Sequence, residues 1–294
     1  ADKIFEETKK IINAFIQRIT YVEFLPEILN AETLKNNELN EGIYGYEEFT
    51  DPRISNVFST AAFQFIHSLT PSSIEFDGTE TPLMDLFNNQ NFLFLDTEKV
   101  AVYMMSSAGE PMDRFFSKQL TDHYFQSGNI SFDLVAQIIQ RGRDHGLPSY
   151  NTFRRHCGLP RLPHFYAMEA ANVLKAVYHN IDDVDVFVGG MVEIPLPGSL
   201  LGPTFSCLIA RQFRDTKFGD SHWYESADPK KGFNEGQLKS IKAMSAAKIL
   251  CDGFGLSLIP ENPFRVTSPS NPMVVCADLP GLDFQPWFLL GNQI

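Results

Sequence analysis

Gln140-Arg141-Gly142-Arg143-Asp144-His145-Gly146-Leu147-Pro148-Ser149-Tyr150-Asn151-Thr152-Phe153-Arg154 is the stretch whose reading decides the fold. Arginines, an aspartate and a histidine crowd into six residues, straight after an apolar helical run from Phe132 to Arg141. Charges packed this densely at a helix end are not all solvated. Arginine pairs with planar carboxylates, so Arg141 or Arg143 can hold Asp144 or the carboxylate of a bound ligand. For Arg143 and Asp144 the better reading is an ion-pair network that ends the helix. Gly142, Gly146 and Pro148 punctuate the chain, and Ser149-Tyr150-Asn151 opens a further helix to Cys157.

Helical periodicity extends outward in both directions. Near the N-terminus Ile4, Ile11, Phe15 and Ile19, with Ile12 and Ile16 alongside, form one apolar face. Glu6, Lys9 and Lys10 mark its wet side, Asp2 is a plausible N-cap, and Pro26 ends the pattern near Phe24 and Leu25. Asn30 to Tyr46 reads as loop. Ile54 to Leu69 reads as a helix burying Ile54, Phe58, Ala61, Ala62 and Phe65. Thr70 to Thr97, rich in Thr, Pro, Asp and Asn, reads as loop. Helical stretches are expected around Met112 to Phe125, Ala167 to Tyr178, Asp182 to Glu193, Thr204 to Phe218 and Asn234 to Cys251, with Gly253 closing the last. Met273 to Cys276 is the best strand. These patterns predict one mainly α domain over residues 1–294, with long loops and little β.

Composition narrows the function. An excess of acidic residues leaves a formal charge of −12. Nucleic acid and anionic membranes require a basic face, so neither is an expected partner. No apolar run is long enough to span a bilayer, and no signal peptide is visible. The four cysteines, Cys157, Cys207, Cys251 and Cys276, stand at wide spacings. None forms a zinc-type cluster, and counting leaves both two disulfides and four buried thiols open. Asn129-Ile130-Ser131 is a glycosylation sequon that nudges the reading toward secretion.

Of seven histidines, His123, His156, His164, His179 and His222 read as ordinary hydrogen-bonded residues. His67 differs, being flanked by Phe63, Phe65, Ile66 and Leu69 at the end of a strongly apolar helix. A neutral imidazole facing an apolar cavity is what a haem-iron ligand requires, although the same facts fit a histidine capping a buried helix.

The stretch from Gln140 to Arg154 resembles the hallmark of the animal haem peroxidases. Other segments resemble that family in order and spacing: Ile4 to Leu29, Asp51 to Leu69, Asp182 to Pro195, Gly202 to Tyr224 and Ala247 to Gly253. The resemblance covers nearly the whole chain and is closest to invertebrate members. It implies a helical fold around haem b and hydrogen-peroxide-dependent oxidation of a small reducing substrate, such as a halide, a phenol or a protein tyrosine.

Carried over by position, His67 matches the proximal iron ligand, Arg141 an arginine near a haem propionate, and Leu134 a residue lining the proximal face. The same analogy pairs Cys157 with Cys207 and Cys251 with Cys276, and implies a secreted protein. The family's distal histidine and arginine, its calcium site and its haem-linking acids match positions upstream of this sequence. No catalytic acid–base residue is therefore assigned here, and the distal half is expected from outside this chain. Gln64 stands where the family has an arginine, Ile66 where it has a glycine, and Ile138 where an asparagine accepts a hydrogen bond from the ligand's far nitrogen. Those departures favour an alternative, a haem-free pseudo-peroxidase serving as a secreted structural or adhesion module.

Overall fold

Helix α1 spans Asp2–Arg18 and runs without a break into a π-helical turn, Ile19–Phe24, and the short α2, Leu25–Ile28. Pro26 directly follows the π-helical turn and does not end the helix, which continues to Ile28 past the expected stop. In this computed structural model the described residues are 2–76, 78–89 and 97–288. The expected loop after α2 contains a further helix, α3 (Ala31–Asn36), because Asn30 caps it by accepting from the Thr33 N–H at 2.9 Å.

The expected helix from Ile54 to Leu69 is two pieces, α4 (Asn56–Thr60) and a 3₁₀ helix over Ala62–Leu69, separated by Ala61 at φ −137°. Phe58, Ala61, Ala62 and Phe65 are buried as expected, whereas Ile54 is exposed. The following helices are α5 (Thr97–Ser106), α6 (Lys118–Thr121), α7 (Leu134–Asp144), α8 (Tyr150–His156) and α9 (Ala171–Val177). After them come α10 (Val186–Met191), α11 (Pro203–Phe218), α12 (Glu235–Ala243), α13 (Ala246–Phe254) and α14 (Gln285–Phe288).

Local chemistry explains the other departures from periodicity. The run from Asn234 to Cys251 breaks at the extended Met244, and Ser245 starts α13 by accepting from the Lys248 N–H. That helix closes on Gly255, whose φ of +67° suits glycine, and not on Gly253. Between Met112 and Phe125 only α6 is α-helical before the chain turns into a strand.

Three antiparallel pairs form among the described residues: β1 (Ser73–Phe76) with β2 (Thr79–Pro82), β3 (Tyr124–Ser127) with β4 (Ile130–Phe132), and β5 (Leu258–Pro260) with β6 (Met273–Val275). The first lies inside the stretch expected as loop, part of which, Asp77 and residues 90–96, is outside the described residues. With about half of the chain helical and under a tenth in strands, the protein is mainly α. The sequon residue Asn129 is exposed in the turn between β3 and β4.

α11 runs through the core, burying Phe205, Leu208, Ile209 and Ala210. The 3₁₀ helix packs against α10 and α11, and α10 also packs against α7 and α8. Two glycines permit that crowding. A Cβ at Gly189 would meet the Tyr150 ring at 2.2 Å, and one at Gly190 the Phe205 ring at 2.2 Å. Disulfides join Cys157 to Cys207 and Cys251 to Cys276, the pairing the resemblance implied. Closing loops of 50 and 25 residues, each contributes roughly 3–4 kcal/mol through the entropy of the unfolded chain.

α1 departs from its expected faces. Ile11 and Ala14 are buried and Phe15 partly so, yet Ile4, Ile12 and Ile16 are exposed. Lys10, expected in water, donates to the Gly232 carbonyl at 2.6 Å and lies over the Phe233 ring.

Candidate functional site

A 3₁₀ helix has three residues per turn, so side chains three apart eclipse one another. Over Ala62–Leu69 that rule sorts the residues into rows. Ala62, Phe65 and Ser68 form the buried row against the core. His67 shares a row with Gln64 and is only partly buried. Ile66 lies on a third row with Phe63 and Leu69 and is 42% exposed, so its bulk does not share the face of His67. An unbroken α-helix would have distributed these side chains differently, and periodicity could not foresee the change.

His67 has no hydrogen-bond partner for either ring nitrogen among the described residues. Burial, and then the nearby positive charge of Arg141, hold its pKa below the ordinary histidine value. The imidazole is therefore neutral near pH 7, with a lone pair free to bind a metal.

Arg141, on the last turn of α7, is the second half of this arrangement. Its Nε and Nη2 are buried, with no partner among the described residues. A buried guanidinium edge without an acceptor is costly, and it is geometrically suited to a carboxylate. An unpartnered cation beside an unpartnered neutral imidazole fits the propionate and iron of a haem. Leu134, in the first turn of the same helix, is buried in the core. Gln64 does not extend a donor outward, because its amide folds back to the Ser59 carbonyl at 2.7 Å. Ile138 is fully buried on α7 and offers no side-chain acceptor.

The other residues of the hallmark stretch are engaged in structural bonds. Arg143 pairs not with Asp144 but with Asp185, through Nε at 3.0 Å and Nη2 at 2.7 Å, and Tyr178 donates to the same carboxylate. Asp144 instead accepts from Gln140 at 2.8 Å. His145 Nδ1 lies 2.8 Å from Asn56 Oδ1, tying the end of α7 to the start of α4. Arg154 and Tyr150 both donate to Glu193, which also accepts from the Thr204 backbone and hydroxyl. Sequence reasoning missed Asp185 and Glu193 as hubs. Their arginine partners lie 42 and 39 residues away, where no local spacing signals them.

Comparisons with known proteins place the chain in a family. Residues 1–264 match the family model for animal haem peroxidase. Peroxidase-like protein 2 of Lottia gigantea is 46% identical over 78% of this chain and 26% of its own length. Thyroid peroxidase of Sus scrofa is 33% identical over 98% of this chain and 33% of its length. The chain thus spans about a quarter to a third of these curated relatives. Among solved structures, peroxidase A from Dictyostelium discoideum superposes with a TM-score of 0.74 and 27% identity, over 92% of this chain and 51% of that one. A fatty acid α-dioxygenase of Arabidopsis thaliana, 17% identical with a TM-score of 0.66, shares the fold. A family model matched over residues 1–264 and a relative 33% identical over 98% of the chain lead to one assignment: this chain belongs to the animal haem peroxidase family.

Proposed function

We propose that this chain is the proximal part of a secreted haem peroxidase, holding haem b with His67 as the axial ligand. The observation that carries this reading is the pairing of a neutral, unpartnered imidazole with the buried, unpartnered edge of Arg141. When bound, the haem iron supplies the redox chemistry by which hydrogen peroxide is reduced and a halide, phenolic or tyrosyl donor is oxidised.

The chain's own residues have narrower tasks. His67 would hold the iron through its unpartnered imidazole nitrogen. Arg141 satisfies a propionate, and binding removes the desolvation cost its guanidinium carries alone. Leu134 contributes apolar wall on the proximal side. Gln64, turned onto the helix backbone, adds no second cation. No residue of this chain is assigned to proton transfer; the groups that move the peroxide proton and polarise its O–O bond are supplied from outside this sequence. Both disulfides and the exposed sequon at Asn129 support an extracellular setting.

A second reading, a haem-free pseudo-peroxidase acting as a structural or adhesion module, is favoured by Ile138. Without an acceptor for its far N–H, the His67 imidazole is a weaker donor to iron. Haem bound here should then show a higher Fe(III)/Fe(II) potential than the family norm, because the weaker donor stabilises the ferric state less. The deciding experiment is the ultraviolet–visible spectrum of the purified protein with and without haemin, alongside His67→Ala. A Soret band that His67→Ala loses or shifts supports the enzyme. A protein that ignores haemin supports the scaffold.

A further inference from the structure

Aromatic rings form a continuous line from the segment bearing His67 through the core. Phe63, on the 3₁₀ helix of His67, meets Phe213 of α11 at 6.3 Å between ring centroids. Phe213 meets Tyr21 edge-on at 5.6 Å, Tyr21 meets Trp223 at 4.7 Å, and Trp223 meets Tyr224 at 5.1 Å. Every step is an ordinary ring contact, so electronic coupling is unbroken along the line. Tyrosine and tryptophan give up one electron more readily than any other side chain once thiols are excluded, and the cysteines are tied in disulfides. Phenylalanine is too hard to oxidise and serves as a bridge.

Hydrogen bonds decide where the missing electron can rest. A phenol that loses an electron becomes a strong acid and must shed its proton. Tyr21 donates to the Phe213 carbonyl at 2.6 Å, and an amide carbonyl is too weak a base to take that proton. Tyr224 donates to the Glu41 carboxylate at 3.0 Å, a base open to solvent. Burial, with the carboxylates of Glu225 and Glu41, keeps the Tyr224 phenol protonated until it is oxidised. Charge sorts the rings in the same sense. Lys217, held by the Glu38 and Asn40 carbonyls, lies over Tyr21 at 5.9 Å and over Trp223 at 5.6 Å. Its cation opposes a further positive charge on either ring. Lys242 lies over Tyr224, but a tyrosyl radical that has shed its proton is neutral and escapes that penalty.

We propose that Tyr224 is a one-electron redox site, sending an electron through Trp223, Tyr21 and Phe213 toward His67 and its phenolic proton to Glu41. The Tyr224 O–H bond breaks, and the oxidant is hydrogen peroxide, reduced to two waters at bound haem. Peroxide takes two electrons, so Tyr224 furnishes one and an external donor the other. A second donor molecule then returns an electron to Tyr224, and Glu41 returns the proton. The inference rests on the reading of His67 as the haem ligand and deepens it. It opens oxidation to phenolic and protein-tyrosyl donors that approach beside Glu41 and not at the iron.

The test places a ruthenium polypyridyl photo-oxidant on the full chain through Ile66→Cys, a position 42% exposed on the same 3₁₀ row as Phe63. Flash oxidation without haem should give a phenoxyl radical by transient absorption and electron paramagnetic resonance. Tyr224→Phe should abolish the signal, and so should Glu41→Gln, which keeps an acceptor but offers no base. Tyr166→Phe, an exposed tyrosine outside the line, should leave it intact. Circular dichroism checks that each variant is folded, and Glu41→Gln alters only an exposed residue. An undiminished signal in folded Tyr224→Phe or Glu41→Gln would overturn the proposal. Haemin-loaded protein given hydrogen peroxide in the dark should show the same signal, again lost in Tyr224→Phe. A Soret band with no Tyr224 radical after peroxide would also overturn it. A light-driven Tyr224 radical in a protein that ignores haemin would keep the redox site and sink the haem reading.

Discussion

Two polar clusters of this molecule are built on opposite principles. Around Glu193, every charge has its counterpart: Arg154 at 2.8 Å, the Tyr150 hydroxyl at 2.6 Å and both donors of Thr204. Around His67, the imidazole and the inner edge of Arg141 have no partner among the described residues. Both clusters draw on the hallmark stretch, Arg154 for the first and Arg141 for the second. The contrast separates scaffold from site. A fully satisfied buried network specifies packing, whereas an orphaned one stores a cost that a ligand can relieve.

The largest effect should come from breaking the satisfied cluster. Glu193→Ala leaves the Arg154 cation buried and unpaired, and should cost about 3–5 kcal/mol in urea denaturation. A loss below about 1 kcal/mol would show that water reaches the arginine and that the network is not the keystone claimed. Next, Gly190→Ala drives a methyl group against the Phe205 ring and should cost about 3 kcal/mol, separating α10 from α11. Little change in stability would mean that these helices slide apart freely.

Arg141→Met should reverse the pattern. Removing an unpartnered guanidinium edge should change the stability of the haem-free chain by less than about 1 kcal/mol, or raise it. Haemin affinity, followed by Soret titration, should fall about tenfold, equivalent to 1.4 kcal/mol. Equal affinity in the variant would strike Arg141 from the site.

A pH series sharpens the same comparison. The folded-state pKa of His67 is depressed, so as pH falls the unfolded chain takes up the proton first. The stability associated with the neutral imidazole is thus present above the ordinary histidine range and lost as pH falls through the folded value. Haemin affinity should be flat near pH 7 and decline in the acid range, about tenfold per pH unit once the proton competes with iron. A decline already complete at pH 7 would contradict the depressed value. The smallest change is electronic: Ile138→Asn, supplying an acceptor on α7, should lower the haem potential in a redox titration relative to the parent protein.

Much of this was legible in the primary structure. Turn residues and the Ser149-Tyr150-Asn151 opening predicted the helix that became α8, and the helical stretch from Thr204 to Phe218 became α11, because these signals act within a turn or two. The singular setting of His67 among Phe63, Phe65 and Leu69, and the density of charge from Arg141 to His145, marked the candidate site. Family resemblance supplied the cysteine pairing, which spacing alone left open.

Tertiary structure decided what depended on distant partners. Only the fold matched Arg143 to Asp185 in place of Asp144, gathered four donors on Glu193, and left Arg141 as the arginine of this stretch with an open edge. Only the fold turned the run after Ala61 into a 3₁₀ helix, setting His67 and Gln64 on one row and Ile66 on another. It also turned Ile12 and Ile16 outward, since the polar side of α1 found better partners in Gly232, Trp287 and Asp220. The reason is common to all of these. Sequence periodicity records which residues avoid water, but the identity of the group that replaces water is set by contacts tens to hundreds of residues away.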